Sequence, residues 1–420
     1  MKKIFRGFTF IPLFALYSIS LDAQSRDSVL TFQEVKARLI KKNLALLAAY
    51  YDIDIAKAGI IQARLWNNPY FVFNGDLYSN ETNEYFHFRN QHLLQVEQTF
   101  SIAGKHTNTV KLARLGAEMA ERQMEDVLRS LLYEAGNLYN DLASIQEKVH
   151  LFEQVMAGYE KLIEATKSQL EVGAISVTEA IRLESEYLAV KTESLSNRNE
   201  QEKTLSELRT LLRMPQDTVF RVEQRVPMVL PSLEVNSLME EATASRPDLQ
   251  LSRKNMDWQK RNLRLQRSLG VPDLKFAYQP RDRGSNYVRP YQGFNVEFSI
   301  PLFNRNQGEI KSAELNLTKS GLEFNQLENQ VRNEVTSAYN RYINAKSGLV
   351  NYTPELLTRL NRLNESTNEN FRKRNISLLQ FIDQQRIYIQ TNIQLIELRQ
   401  QFLGTVNDLH FATGKTLIDF

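Results

Sequence analysis

Histidine, methionine and cysteine are the side chains from which catalytic and metal sites are most often built, and in this sequence they are sparse. There are five histidines, His87, His92, His106, His150 and His410, with eight methionines and no cysteine. No histidine pair has the i, i+4 helical spacing of a ligand pair, and only His87 and His92 are near each other, so the convergent donors a metal needs are not gathered. The methionines are scattered. Without cysteine there is no disulfide, no thiolate site and no lipid-acceptor residue. Glycine loops that cradle phosphate, nucleophile elbows and zinc-protease pairs do not occur. These residues predict no catalytic site, no cofactor and no bound metal. Function must come from shape and from polar residues at special places in the chain.

The start of the chain predicts its destination. Lys2, Lys3 and Arg6 precede an apolar stretch from Phe8 to Leu21, and the small Ala23 follows; this three-part pattern predicts a signal peptide over residues 1–23. Beyond it no run of about eighteen apolar residues occurs, which excludes helical membrane spans, and the mean hydropathy is -0.41. The formal charge of +3 gives no argument for nucleic acid as a partner.

Proline is absent between Pro69 and Pro215, between Pro301 and Pro354, and after Pro354, which leaves room for very long helices. Apolar or small residues then recur at alternating steps of three and four: Leu128, Leu131, Ala135, Leu138, Leu142, Ile145, Val149, Phe152, Met156, Tyr159, Ile163. A second seam runs Val331, Val335, Ala338, Tyr342, Ala345, Leu349, Tyr352, Leu356. Both are heptad patterns of coiled-coil helices. Local matches repeat at an offset of about 202 residues: Asn68-Pro69 with Val271-Pro272, Gln98 to Ser101 with Ile300 to Phe303, Ile175-Ser176-Val177 with Ile376-Ser377-Leu378. Two tandem copies explain them. The first copy spans residues 24–214, with strands near 69–78 and 92–100 and long helices near 107–172 and 176–213. A linker follows over 215–235. The second copy spans 236–420, with strands near 272–279 and 291–300 and helices near 307–373 and 377–415.

Leu274, Phe276 and Tyr278 alternate with polar or small residues, and so do Phe294, Val296, Phe298 and Ile300. That period of two with one apolar face predicts strands, and an apolar-out, polar-in strand of about nine to eleven residues suits an outer-membrane barrel. Four strands cannot close a barrel, and an open edge in hydrocarbon costs several kcal/mol per unpaired group, so neighbouring chains must complete it.

The string Phe298-Ser299-Ile300-Pro301-Leu302-Phe303-Asn304-Arg305-Asn306-Gln307-Gly308-Glu309-Ile310, with Val271-Pro272-Asp273-Leu274 and Arg246-Pro247-Asp248-Leu249, resembles the TolC-like outer-membrane efflux proteins, closest to the CzcC-like heavy-metal branch. The resemblance implies a mainly α protein with a small β part: long antiparallel coiled-coil helices, four transmembrane strands per protomer, and a homotrimer with a 12-stranded barrel and a periplasmic α-helical tunnel. It further implies a passive export duct in outer-membrane lipid for metal cations or small molecules, working with a periplasmic adaptor and an inner-membrane RND-type pump. The alternative is a soluble periplasmic coiled-coil scaffold or adaptor, which would not need the four aromatic strands.

Two helix breaks mark the far end of the tunnel. Val172-Gly173-Ala174 interrupts the first long helix and Arg374-Asn375-Ile376 the second, and glycine and asparagine favour the left-handed closing conformation. The resemblance implies that these turns form the periplasmic tip, where the adaptor docks and the passage narrows, with Val172, Gly173, Thr178 and Glu179 on one side and Arg374, Asn375, Gln380 and Asp383 on the other. The second tip of the family carries two acids three apart; here only Asp383 is acidic. Pro301, Asn304, Arg305 and Gly308 mark the turn from barrel to tunnel.

Overall fold

The computed structural model describes residues 28–75, 77–80, 83–86, 92–223, 233–282, 291–349 and 354–418. The predicted signal peptide, His87, Tyr352, much of the linker and the strand-connecting loops lie outside the described residues.

The chain runs through one element order twice. The first pass is β1 (Ser28–Leu30), α1 (Phe32–Lys42), α2 (Leu44–Arg64), β2 (Tyr70–Gly75), a minor hairpin β3 (Tyr78–Ser79) and β4 (Glu84–Tyr85), β5 (His92–Phe100), α3 (Lys105–Glu171) and α4 (Val177–Leu211). After β6 (Phe220–Val222), the second is α5 (Val235–Ser245), α6 (Pro247–Leu269), β7 (Leu274–Asp282), β8 (Tyr291–Glu297), α7 (Gln307–Leu349), α8 (Pro354–Arg372) and α9 (Leu378–Thr413). At 67 residues, α3 is roughly 100 Å long. Of the stretch 307–373, expected as one helix, the described residues form α7 and α8, and residues 350–353 between them lie outside the described ones.

Four strands form one antiparallel sheet in the order β2-β5-β7-β8. The helices that lead into or out of those strands pack in the same order, α2 on α3, α3 on α6 and α6 on α7. Strand layer and helix layer are therefore open on the same two sides. Cross-strand register puts Phe71, Phe73, Leu94, Val96, Phe100, Phe276, Tyr278, Phe294 and Val296 on one face. The opposite face carries Gln95, Glu97, Lys275, Gln279, Asn295 and Glu297. There Lys275 lies 3.5 Å from Glu97 and 3.8 Å from Glu297, and Gln279 donates to Gln95 at 3.1 Å. Val72 of β2 lies on this polar side, opposite Gln95.

The two heptad seams behave differently. Val331, Val335, Ala338, Tyr342 and Ala345 are all buried, against Phe402, Leu403, Val406 and Leu409 of α9 and Leu238 and Ala242 of α5. On α3 the seam residues Ala135, Leu142, Val149, Phe152 and Tyr159 are buried, but so are Tyr139, Ala143, Val155 and Leu162. That helix meets α2, α4, α6 and α9, so burial on several sides replaces one coiled-coil stripe.

A junction is also repeated. Asn43 caps α2 and its amide donates to Leu211 O at 2.9 Å, at the end of α4. Arg246 stands at the N-cap position of α6, without a side-chain cap bond, and donates to Ala412 O at 3.2 Å, at the end of α9. In the second copy the amide is replaced by a charge. The Arg246 side chain, 2% exposed, grips Asp248 with two bonds of 3.0 and 2.6 Å and Glu334 with one of 2.6 Å. Behind Asp248 stands Arg129 of α3, at 3.3 Å, which also donates to Phe411 O at 2.8 Å. This network joins α3, α6, α7 and α9 at mid-height.

Candidate functional site

Both tip turns are built to one plan. Gly173 has φ 71° and closes α3 with Gly173 N to Leu170 O at 3.0 Å and Ala174 N to Gln169 O at 2.8 Å. Arg374, φ 60°, closes α8 with Arg374 N to Phe371 O at 3.0 Å and Asn375 N to Asn370 O at 2.8 Å. Each is the two-bond left-handed closure in which the last helical carbonyls find donors. An arginine there is strained by roughly 1–2 kcal/mol, a cost that glycine avoids. Arg374→Gly should therefore slow amide exchange at Arg374 and Asn375 about fivefold, since part of the gain is lost to unfolded-chain entropy, while Gly173→Ala should speed it at Gly173 and Ala174. Exchange monitored by mass spectrometry checks both, and no change in either turn would refute the strain.

The helix starts are matched as well. Ser176 and Glu179 form a reciprocal cap: Ser176 N and Oγ donate to the Glu179 carboxylate, each at 3.0 Å, and Glu179 N donates to Ser176 Oγ at 3.2 Å. Ser377 and Gln380 repeat it at 2.9, 3.2 and 3.3 Å. The backbone hydrogen bond from Ser176, with its hydroxyl, holds the Glu179 carboxyl below the usual carboxylate range. Glutamate and glutamine thus occupy equivalent places, which explains why the second tip lacks an acid where one was expected. The S-x-x-E and S-x-x-Q spacing signals such caps.

Val172, Gly173, Thr178, Glu179, Arg374, Asn375, Gln380 and Asp383 are all exposed. Among the described residues no hydrogen bond or ion pair joins Thr178, Glu179, Gln380 and Asp383 across the hairpins. The cross-hairpin contact lies a turn or two higher, where Arg386 of α9 pairs with Glu186 of α4. Beneath it Phe381 stacks on Phe371 at 4.6 Å and meets Tyr159 edge-on at 5.8 Å. Burial, and then the nearby Glu186 charge, push the Tyr159 hydroxyl up to about 12. A cavity of about 400 Å³ opens between the hairpins, floored by Leu162, Leu183, Ile376 and Leu378 and rimmed by Glu179 and Arg374.

The second hairpin is held by amides. Gln385 donates to Asn364 at 2.8 Å, Thr367 donates to Gln384 at 2.6 Å and Tyr388 donates to Asn361 at 3.1 Å. Gln385 and Thr367 are each 3% exposed. The string from Asn361 to Asn370 reads as solvated polar surface in the sequence, so its inward face was not foreseen.

At the other end, the left-handed residue of the barrel-to-tunnel turn is Asn306, φ 61°, and Gly308 already lies in the first turn of α7. Arg305 Nε donates to Pro301 O at 3.2 Å, and Asn304 Oδ1 accepts from Asn306 N at 3.0 Å. In the first copy Ala103 and Gly104 carry the positive φ, and Lys105 is tied to Asp273 at 2.7 Å. No cluster of metal-binding side chains occurs among the described residues.

A sheet with one apolar and one polar face, prolonged by long helix hairpins that end in two matched turns, defines the architecture class of this chain. The sequence model of the outer membrane efflux protein family matches residues 37–212 and 238–415, and the chain belongs to that family. It is 22% identical over 287 residues to the cobalt-zinc-cadmium resistance protein CzcC of Cupriavidus metallidurans, covering 68% of this chain and 66% of that protein, just under two thirds. The fold is similar to that of the outer membrane protein VceC of Vibrio cholerae, with a TM-score of 0.71 and 14% identity over 91% of this chain and 96% of the other. It is also similar to the CmeC outer membrane channel of Campylobacter jejuni, with a TM-score of 0.70 and 13% identity over 100% and 96% of the two chains. The protein is placed in the outer membrane, with its helical part extending into the periplasm.

Proposed function

We propose that the chain is the outer-membrane duct of a tripartite efflux system, a passive exit and not an enzyme. Three copies close a 12-stranded barrel and continue as one helical tunnel, through which an inner-membrane RND-type pump expels substrate by way of a periplasmic adaptor. The observation that carries this reading is the shared order of strands and helices, open on the same two sides. A sheet edge left open in hydrocarbon is untenable, so β2 of one copy meets β8 of the next. The edge helices fit that closure. On α2 a stripe of Leu44, Tyr51, Ile55, Ile61 and Leu65 faces outward, each more than half exposed, and on α7 Leu315 and Leu322 do the same at 58% and 66%.

The cavity between the hairpin tips suits the adaptor, since apolar floor and charged rim are what a docking helix hairpin requires. Metal cations lead as cargo because the CzcC relative is a cobalt-zinc-cadmium resistance protein and the polar sheet face carries Glu97 and Glu297 around Lys275. The purified protein in planar bilayers should give discrete conductance steps, and a protein that never conducts would overturn the duct.

The gate is proposed at Thr178, Glu179, Gln380 and Asp383, with Val172, Gly173, Arg374 and Asn375 shaping the turns. Three copies place six carboxylates, from Glu179 and Asp383, around the narrow end, where they favour cations. Truncating Glu179 to alanine would also break a helix cap, so Glu179→Gln is the proper probe: it removes charge and keeps the cap, as Gln380 does. Glu179→Gln with Asp383→Asn should lower cation over anion permeability severalfold in the bilayer assay. Unchanged reversal potentials in a salt gradient would move the gate elsewhere, the Glu186 and Arg386 level being next.

A further inference from the structure

We propose that the turn around Phe303 is a built anchor for a second copy of this chain, docking beside Leu65 and Trp66 of the neighbour where barrel passes into tunnel; this rests on the three-copy barrel proposed above. Phe303 is 92% exposed, the highest value among the large apolar side chains described, and Ile300 and Leu302 beside it are 68% and 63% exposed. The backbone beneath them is nevertheless fixed. Gln307 Nε2 donates to Phe303 O at 3.1 Å, and Asn306 Nδ2 donates to Gln266 O at 2.8 Å. Gly270 lets the turn lie against the end of α6: a Cβ there would stand 2.7 Å from Arg305 O. A rigid turn that presents an apolar side chain with nothing to cover it has the form of a preorganised interface anchor.

The first copy supplies an internal comparison. After β5, four residues reach α3, and the turn is tied inward by Lys105 to Asp273 at 2.7 Å. After β8, residues 298–306 intervene before α7, and they carry Phe298, Ile300, Leu302 and Phe303. The strand before the short turn is flanked on both sides, by β2 and β7, whereas β8 is paired on one side only. Extra length and apolar side chains therefore occur on the copy whose strand forms the open edge. A lipid girdle alone would not distinguish the two copies.

Antiparallel closure identifies what the anchor meets. Where β8 of one copy runs toward the tunnel beside β2 of the next, the residues after β8 lie beside those before β2, namely 65–69. In that stretch Leu65 and Trp66 are 58% and 60% exposed, and the Trp66 ring is held by stacking on His106, centroids 4.3 Å apart and planes 15° apart. Below it the exposed stripes of α2 and α7 continue the same contact.

The sequence has no cysteine, so disulfide trapping has no background. Within one chain, positions 66 and 303 flank opposite edges of the sheet, about 14 Å apart by three strand spacings, beyond the roughly 7 Å Cα separation a disulfide tolerates. Phe303→Cys combined with Trp66→Cys or with Leu65→Cys, in full-length protein oxidised in outer membranes, should give covalent dimers and trimers on a non-reducing gel with at least one pair, and none with any single variant. Native mass spectrometry separates the outcomes. Particles of three chains without cross-links overturn this inference and leave the barrel standing, with Phe303 left to lipid; particles of one chain overturn both. Phe303→Ser should also lower the temperature at which the trimer dissociates, with helix content unchanged, and an unaltered midpoint counts against the anchor.

Discussion

Arg246→Ala should lower the melting temperature of the protein by roughly 3–6 °C, the largest effect expected of any single change outside the sheet. The side chain is 2% exposed and satisfies three partners at once, Asp248, Glu334 and Ala412 O. Truncation leaves Asp248 partly buried, with Arg129 at 3.3 Å as its remaining charged partner and the Leu249 N–H as a backbone donor. Breaking a buried pair from one side costs about 3–5 kcal/mol, because the surviving charge is stranded, and each kcal/mol is worth about 1 °C in a chain of this size, whose unfolding entropy is large. Arg246→Lys should fall between, since an ammonium keeps the charge but cannot fork. Arg386→Ala is the control: its pair with Glu186 leaves the arginine 65% exposed, and exposed pairs contribute at most about 1 kcal/mol. Melting followed by circular dichroism in detergent checks all three, and an Arg246→Ala protein that melts with the wild type would show that the network is dispensable.

The same network sets an acid limit. Burial raises the Asp248 carboxyl, but the Arg246 hydrogen bonds and charge, with Arg129 behind them, outweigh it and hold the carboxyl below its ordinary value. A carboxyl lower in the folded than in the unfolded chain contributes stability above the unfolded pKa, about 4, and that contribution disappears as pH falls through the folded pKa. Wild type should therefore lose stability below about pH 4 more steeply than Asp248→Asn, which starts lower and lacks this component.

How much of this was legible depended on whether the signal was local. The heptads from Val331 to Ala345 read directly as a buried stripe because one face of α7 is covered there, chiefly by α9 and α5. On α3 the same reading missed Tyr139 and Ala143, since burial on further faces comes from elements far along the chain. The tip turns were visible at an offset of 201 residues, and the serine caps could have been read from their spacing. Arg246 stood out in the sequence only within the string Arg246-Pro247-Asp248-Leu249. Its partners Glu334 and Ala412 lie 88 and 166 residues onward, and no periodicity reports a contact of that range.

Phe294 and Asn295 offer the sharpest test of which sheet face meets lipid, because they are neighbours on one strand. Phe294 stands opposite Tyr278 on the apolar face, and Asn295 opposite Ala277 on the polar one. An arginine facing lipid near the bilayer midplane costs about 2–4 kcal/mol per chain, and in the proposed trimer every copy carries the penalty. Phe294→Arg should therefore abolish heat-resistant trimers in the outer-membrane fraction. Asn295→Arg places its charge in a watery lumen near Glu97 and Glu297, so trimers should assemble at wild-type levels. Three added positive charges should then shift the open channel toward anions, read as a change in reversal potential across a salt gradient. If both variants assemble alike, the apolar face is not in hydrocarbon. If Asn295→Arg is the one lost, the sheet faces the other way, and the lumen would be lined chiefly by aromatic rings.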